Sequence, residues 1–509
     1  MNSEIQPTEY GSFPSNFRCS KLSELCAEKI GVQTGPFGSQ LHKEDYVQVG
    51  TPIITVEHLG DNRIIHINTP FVSDEDRIRL SKYHLQEGDI VFSRVGSVDR
   101  RAIVRKEENG WLFSGRCLRV RADKEKIDPL YLSYFFGLEA FKKYIRGIAV
   151  GATMPSINTK ILSDISIYYP ESLEAQREIA TTFYAIDEKI EINSKSNQTL
   201  EAIAQTLFKS WFVDFDPVKA KLSVLAAGGS AEEAERAAMC AISARDEASL
   251  NTLQTEQPEA YAELARTAAL FPSAMQDSEL GEMPMGWELS EIGKEVKIVG
   301  GGTPSTKQPD FWDNGDICWT TPKDLSNATD KIILDTERKI TKEGLNKISS
   351  GLLPVNTVLL SSRAPVGYLA LTKVPLAINQ GYIAMRCEQN LPPEYVLLWA
   401  SSVMDEIKQR ASGTTFAEIS KKNFKPINVV VPSKALLDIF TQHASNIYDQ
   451  IANQVSENSS LTRVRDTLLP KLLSGELTLP DTTPPKANPP ESDTLEGQQS
   501  QQPLMEAAG

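Results

Sequence analysis

Histidine is scarce in this chain. Five occur in 509 residues, at positions 42, 58, 66, 84 and 443, and no two share metal-ligand spacing. The six cysteines (Cys19, Cys26, Cys117, Cys240, Cys318, Cys387) form no CxxC pair. That pattern argues against a zinc site or a disulfide frame and fits reduced thiols in a cytoplasmic protein. No apolar run approaches the roughly 20 residues of a membrane helix. The opening MNSEIQPTEYGSF has neither the basic nor the apolar region of a signal peptide. Positive charge is also short, with a formal net charge of −14. Such a balance disfavours unaided nucleic-acid binding. The excess is local, however: residues 221–280 hold ten acids and four bases, and 476–509 hold six and one. The rest is close to neutral, so DNA affinity would call for a more basic partner.

What the chain has is repetition. GIAVGATMPSINTKILSDISIYYP (147–170) returns as SGTTFAEISKKNFKPINVVVP (412–432), offset by 262 residues. Thr415 then falls on Thr153, Lys422 on Lys160 and Pro432 on Pro170. Units this long are duplicated domains, since solenoid repeats run to about 20–50 residues. Each ends in a long segment free of glycine and proline. In the first, Ile179, Phe183, Ile186, Ile190, Asn193, Asn197, Leu200, Ala204, Leu207 and Trp211 step by fours and threes. In the second, Phe440, Ala444, Ile447, Ile451, Gln454, Asn458, Leu461, Arg465, Leu468 and Leu472 do the same. Both are coiled-coil seams. Arg465 is a misfit there, and Val464 is expected to face inward in its place. Both seams turn polar at the same step, so the two polar layers meet if the helices pair antiparallel. A turn at Asn193–Gln198, giving a helical hairpin, is the competing reading.

The layout expected is an N-terminal arm (1–16), a first head (17–170), a central helix (171–217) and a linker with a short helix near 231–248 (218–286). A second head (287–432), a distal helix (433–475) and a disordered, Pro-, Ser- and Gln-rich tail (476–509) follow. Short β-branched runs and single helices in each head make the fold class α+β. Two similar heads on stiff spacers suit a ligand with two separated sites, and DNA is the obvious one.

Four pairs of motifs are candidates for DNA contact. TGPFGSQL (34–41) supplies Gly35, Phe37 and Ser39, with Lys43 just beyond, and GGGTPST (300–306) supplies Gly302, Thr303 and Ser305. Neither ends in the GKS/T of a P-loop. Glycines there permit close backbone approach to a phosphate or simply make a turn. SRVGSVDRR (93–101) offers Arg94, Arg100 and Arg101, and SSRAPVG (361–367) offers Arg363, taken as the counterpart of Arg94. Arginine suits bidentate contact with guanine or phosphate, although loop arginines are often merely solvated. SGRC (114–117) with Arg116 matches NQGY (379–382) with Asn379 and Gln380, whose amides could read adenine or cap a turn. Thr153, Thr414 and Thr415 lie in the repeated Gly-Thr loops.

Catalytic constellations are missing. Asn488-Pro489-Pro490 has the NPP core of adenine-N6 methyltransferases, but Glu491 follows where an aromatic should stack on a flipped base.

TGPFGSQLHKEDY (34–46), GGTPS (301–305), SWFVDFDPVKAK (210–221) and LLPKLLSGEL (468–477) resemble the specificity subunit of type I restriction-modification systems. The resemblance implies two target-recognition domains, each reading half of a split DNA site. Their helices would pair as an antiparallel coiled coil with pseudo-two-fold symmetry and set the spacer. It further implies methyltransferase subunits docked on the helices and using S-adenosylmethionine, and a separate restriction subunit using ATP and Mg. No catalytic residue, metal or cofactor would then belong to this chain. A self-contained methyltransferase or nuclease is one rival reading. A coiled-coil scaffold with two protein-binding heads is the other.

Overall fold

The computed structural model describes residues 5–477, apart from 29–30, 152, 280, 327 and 414–416 and the side chain of Ser39. The tail beyond 477 lies outside the described residues. The chain forms two compact units. One comprises the residues up to Phe183 with those from Thr467 onward, and the other comprises Tyr184–Asp466.

In the first unit a five-stranded sheet runs in the order Val32–Thr34, Cys117–Val120, Ile90–Ser93, Arg101–Ile103, Asp61–Asn62. Only its last pairing is parallel. Ile90–Ser93 is buried along its whole length, which is why it reads as an unbroken apolar run. A second sheet joins Leu112–Phe113, Thr51–Ile54, Phe71–Val72 and Tyr46–Val47.

The second unit repeats this order with Lys297–Gly300, Tyr382–Arg386, Val358–Ser361, Leu369–Thr372 and Ile332–Ile333. Its smaller sheet joins Arg338–Ile340, Ile317–Thr320 and Leu376–Ile378. The strands pair Ser93 with Cys117 and Ser361 with Tyr382, which aligns the two heads residue by residue.

Residues expected to be an arm are folded. Ile5–Thr8 and Gly11–Pro14 form a hairpin whose Tyr10 packs edge-on against Phe135 and Tyr144. Met275–Ser278 and Gly281–Pro284, read from sequence as linker, form its counterpart. Gly11 and Gly281 turn at φ 116° and 99°, a region that favours glycine. The signal was present as TEYGSFP and SELGEMP, 270 residues apart.

The rest of the expected linker holds four helices: Asp216–Ala226, Ala231–Ser243, Glu247–Glu256 and Pro258–Ala269. Ser230 and Asp246 cap the second and third. Their small core is Ala238, Met239, Leu250, Leu253 and Ala268. Alanine-rich packing leaves little apolar periodicity to read, so only one short helix is apparent in the sequence. Lys221 is buried there and donates to the Phe271 carbonyl at 2.7 Å and to Glu235 at 2.8 Å.

The central helix is continuous over Leu173–Phe212 and the distal helix over Lys434–Leu473, each 40 residues. No turn interrupts Asn193–Gln198. Phe208, Trp211 and Phe212 end the central helix in the core of the second unit, among Tyr395 and Phe440. In the first unit, Phe183 packs 5.6 Å from Tyr134, and Leu472 and Leu473 are buried. No described helix is long and apolar enough to cross a membrane.

Candidate nucleic-acid interface

In the first head the four sequence motifs meet at one end of the main sheet. Gly35 lies so close to the 114–117 turn that a side chain would stand 2.2 Å from the Ser114 carbonyl, and its N–H donates to the Cys117 carbonyl. Gly115 is pressed the same way onto the Pro36 carbonyl. These glycines lock two loops backbone to backbone, and Phe37 is left 60% exposed at their tip.

Arg94 ties the cluster together. Its N–H donates to the Arg116 carbonyl at 2.8 Å and its Nη1 to the Gly115 carbonyl at 3.1 Å. Its guanidinium stands 5.7 Å from the Phe37 ring centre. Its carbonyl accepts from Ile157 N–H, and Gly96 N–H donates to Pro155, which docks the 151–158 loop alongside. Thr153, Met154 and Arg116 are exposed on this rim. Neither Arg94 nor Arg116 has a carboxylate partner among the described residues.

Other candidates lie elsewhere. Lys43 is exposed on a one-turn helix, and among the described residues no side-chain hydrogen bond or ion pair joins it to the cluster. Arg100 donates to the Leu59 carbonyl. Arg101 is 3% exposed and belongs to the core rather than the surface. Its Nε donates to the Ser133 carbonyl at 2.9 Å and its Nη1 to Asp61 at 3.2 Å. The strand Arg101–Ile103 is buried at every residue, and the Arg101 guanidinium lies against Gly137.

The second head assembles the same cradle. A side chain at Gly301 would stand 2.0 Å from the Ile378 carbonyl, and Gly302 N–H donates to that carbonyl at 2.9 Å. Thr303 Oγ1 donates to Gln380 Oε1 at 2.7 Å, joining the exposed tips of two loops. Asn379 is committed to its own turn, where Oδ1 accepts from Gly381 N–H at 2.9 Å. Trp312 and Trp319 brace the remaining loop, donating to the carbonyls of Ser305 (3.0 Å) and Gly302 (3.1 Å). Thr414 and Thr415 lie outside the described residues.

Arg94 and Arg363 are not counterparts. Arg94 N–H donates to Arg116 and its carbonyl accepts from Ile157; the residue that makes the equivalent bonds, to Gly381 and from Ile419, is Ser362. Arg363 corresponds instead to Val95. Val95 bridges Ser156, whereas Arg363 bridges Glu418. A one-residue slip in an extended segment moves a side chain to the opposite face. The Arg363 guanidinium stands 3.9 Å from the Glu418 carboxylate.

The helices pair antiparallel within the second unit. Asp187 meets Arg465, Asn193 meets Asn458, and Ser196 meets Gln454. Asn193 Nδ2 donates at 2.8 Å both to Asn458 Oδ1 and to Glu457, so the two polar layers coincide. Asparagine there lowers the Glu457 carboxyl below its usual range, with Lys189 adding to the effect. Ile186, Ile190, Leu200, Leu207, Ile447 and Leu461 are half-buried along the seam, and Ile451 is buried. In the first unit Ile179 and Leu468 are half-buried. Arg465 keeps its seam position by pairing with Asp187 at 2.9 Å, while Val464 is 46% exposed. A paired carboxylate thus lets an arginine occupy a position the sequence pattern assigns to a hydrophobe. Among the described residues no group of three His, Cys, Asp or Glu could hold a metal.

A family model described as the type I restriction modification DNA specificity domain matches residues 14–202 and 284–457. The specificity subunit of type I restriction enzyme HindI from Haemophilus influenzae is 32% identical over 440 residues, covering 84% of this chain and 95% of that protein. The MjaIX specificity subunit of Methanocaldococcus jannaschii is 34% identical over 196 residues, 38% of this chain and 45% of that one. In fold, the crystal structure of a type I restriction-modification S subunit from M. genitalium aligns with a TM-score of 0.50 at 16% identity, over 90% of this chain and 96% of that one. With the family's domain matched in both heads, this chain belongs to the type I restriction-modification DNA specificity family.

Proposed function

We propose that the chain reads a split DNA site, one half with each head, and hands that site to catalytic partners. The observation that carries this reading is the repeated cradle. In both heads glycine-locked loops converge at one sheet end and present exposed polar, cationic or apolar tips. A rigid backbone cradle with variable tips is what base readout needs. Specificity subunits do not perform the chemistry themselves. On this reading methyltransferase subunits dock on the helix pair and bring S-adenosylmethionine, and a restriction subunit brings ATP and Mg. The near-neutral heads fit an arrangement in which partners supply much of the phosphate contact.

The helix pair would set the gap between half-sites. Forty helical residues span roughly 60 Å. One heptad inserted near Asn193 and another near Gln454 keep the seam in phase. They add roughly 10 Å, or about three base pairs, and rotate the half-sites by roughly 100°. Methylation mapping of the reconstituted complex should show a longer gap or loss of the site. The original gap at full efficiency would show that the helices are not the ruler.

A further inference from the structure

The second head holds an arginine against a pair of tryptophans, an arrangement without a counterpart among the described residues of the first. Arg338 is exposed on the strand beside Ile317–Thr320, directly opposite Trp319. Its guanidinium lies 3.6 Å from the centre of the Trp312 ring and 5.2 Å from that of Trp319. The two rings meet edge to face at 5.0 Å. Both indoles are fixed by their N–H bonds to the carbonyls of Ser305 and Gly302, inside the candidate interface. No carboxylate pairs with Arg338 among the described residues. The neighbouring Asp335 is engaged by Lys339 at 3.3 Å and by the Cys318 thiol. In the first head, strand register places Pro70 and Ile53 where the second has Arg338 and Trp319.

We propose that Arg338 is a specificity-determining residue of the second head, reading the O6/N7 edge of a guanine in the major groove. The close contact with Trp312 restrains the guanidinium while the side chain stays exposed. A planar fork held in this way loses little freedom on forming a bidentate contact. A floppy surface lysine or a solvated arginine would not be held at van der Waals distance from a ring that is itself hydrogen-bonded to the recognition loop. This inference rests on the reading above that the second head contacts DNA.

The test uses the full chain assembled with its methyltransferase partner and the DNA site found by mapping methylated adenines. Each guanine of that site is replaced in turn by 7-deazaguanine, which lacks the N7 acceptor. One guanine in one half-site should weaken wild-type binding when replaced. Arg338→Ala should weaken binding to the unmodified site by roughly five- to 150-fold, the range for one bidentate base contact. It should also become indifferent to that replacement and to the base pair at that position. Trp312→Leu should give a smaller loss at the same position, because the fork is no longer held. Unchanged discrimination at the other positions of the same half-site shows that the second head is folded, and unchanged discrimination at the other half-site that the complex is assembled. Unchanged affinity of Arg338→Ala would overturn the assignment. So would uniform weakening on all sequences with a salt slope lower by about one, the sign of a phosphate contact. A wild-type complex that prefers no sequence would overturn the functional reading and this assignment together.

Discussion

Where the first head sets Val95 against Ser156, the second sets Arg363 against Glu418. The bridge to each pair and the N–H of Ile157 or Ile419 on the preceding carbonyl recur in both heads. The side chains share nothing. The heads therefore conserve a scaffold of main-chain contacts and glycine clearances while varying what projects from it. The first head offers Arg94 and Arg116, neither with a carboxylate partner among the described residues, around an exposed phenylalanine. The second offers a charge-balanced Arg363, a Thr303–Gln380 pair and the Arg338 platform. Two halves of one DNA site can differ in sequence because the cradle does not constrain its tips.

The strongest perturbations should act on one scaffold at a time. Strand register aligns Arg101 in the first head with Leu369 in the second, and both are buried. Leu369→Ala should destabilise the second head by about 2–5 kcal/mol, as large-to-small core changes do. Arg101→Ala should destabilise the first by about 1–3 kcal/mol, because the Ser133 carbonyl loses its buried donor. Hydrogen exchange resolved by segment should place each loss in its own head. Loss spread equally over both would break the picture of two separate scaffolds.

At the recognition loops, Arg94→Ala should cost about 1–3 kcal/mol at one half-site if the arginine reads a base. Arg363→Ala should cost less at the other, since Glu418 already balances part of its charge. Equal losses, read by binding to singly substituted sites, would mean that the pairing with Glu418 is irrelevant in the complex. The smallest effect is expected from Glu418→Gln. Removing that carboxylate should tighten binding to every sequence by less than about 1 kcal/mol, with the gain shrinking as salt rises. A weaker complex would show that Glu418 itself contacts a donor on DNA.

Much of this organisation was readable in the sequence because repetition and helical periodicity are local signals. The segments from Ile179 to Trp211 and from Phe440 to Leu472 lie on two unbroken helices, and their polar layers meet at Asn193 and Asn458. The candidate loops are brought together in each head, since Gly35, Gly115 and Gly301 mark close approaches that no other residue allows. Non-local facts stayed hidden. The slip between Arg94 and Arg363 appears only once strand register is known. Arg101 looked like surface charge because its acceptor, Ser133, is 32 residues away. Arg465 looked like a misfit because its partner Asp187 is 278 residues away. Arg338 carried no motif at all, and its meaning comes from two tryptophans on other segments.

If each head reads its own half of one site, the two halves should be exchangeable one at a time. The most direct measurement exchanges residues 17–170 for the first head of another family member, assembles the chimera with the methyltransferase partner, and maps methylated adenines genome-wide. The expected result is a bipartite motif in which one half changes and the other half and the gap stay as in the wild type. A motif altered in both halves, or one without a gap, would contradict it.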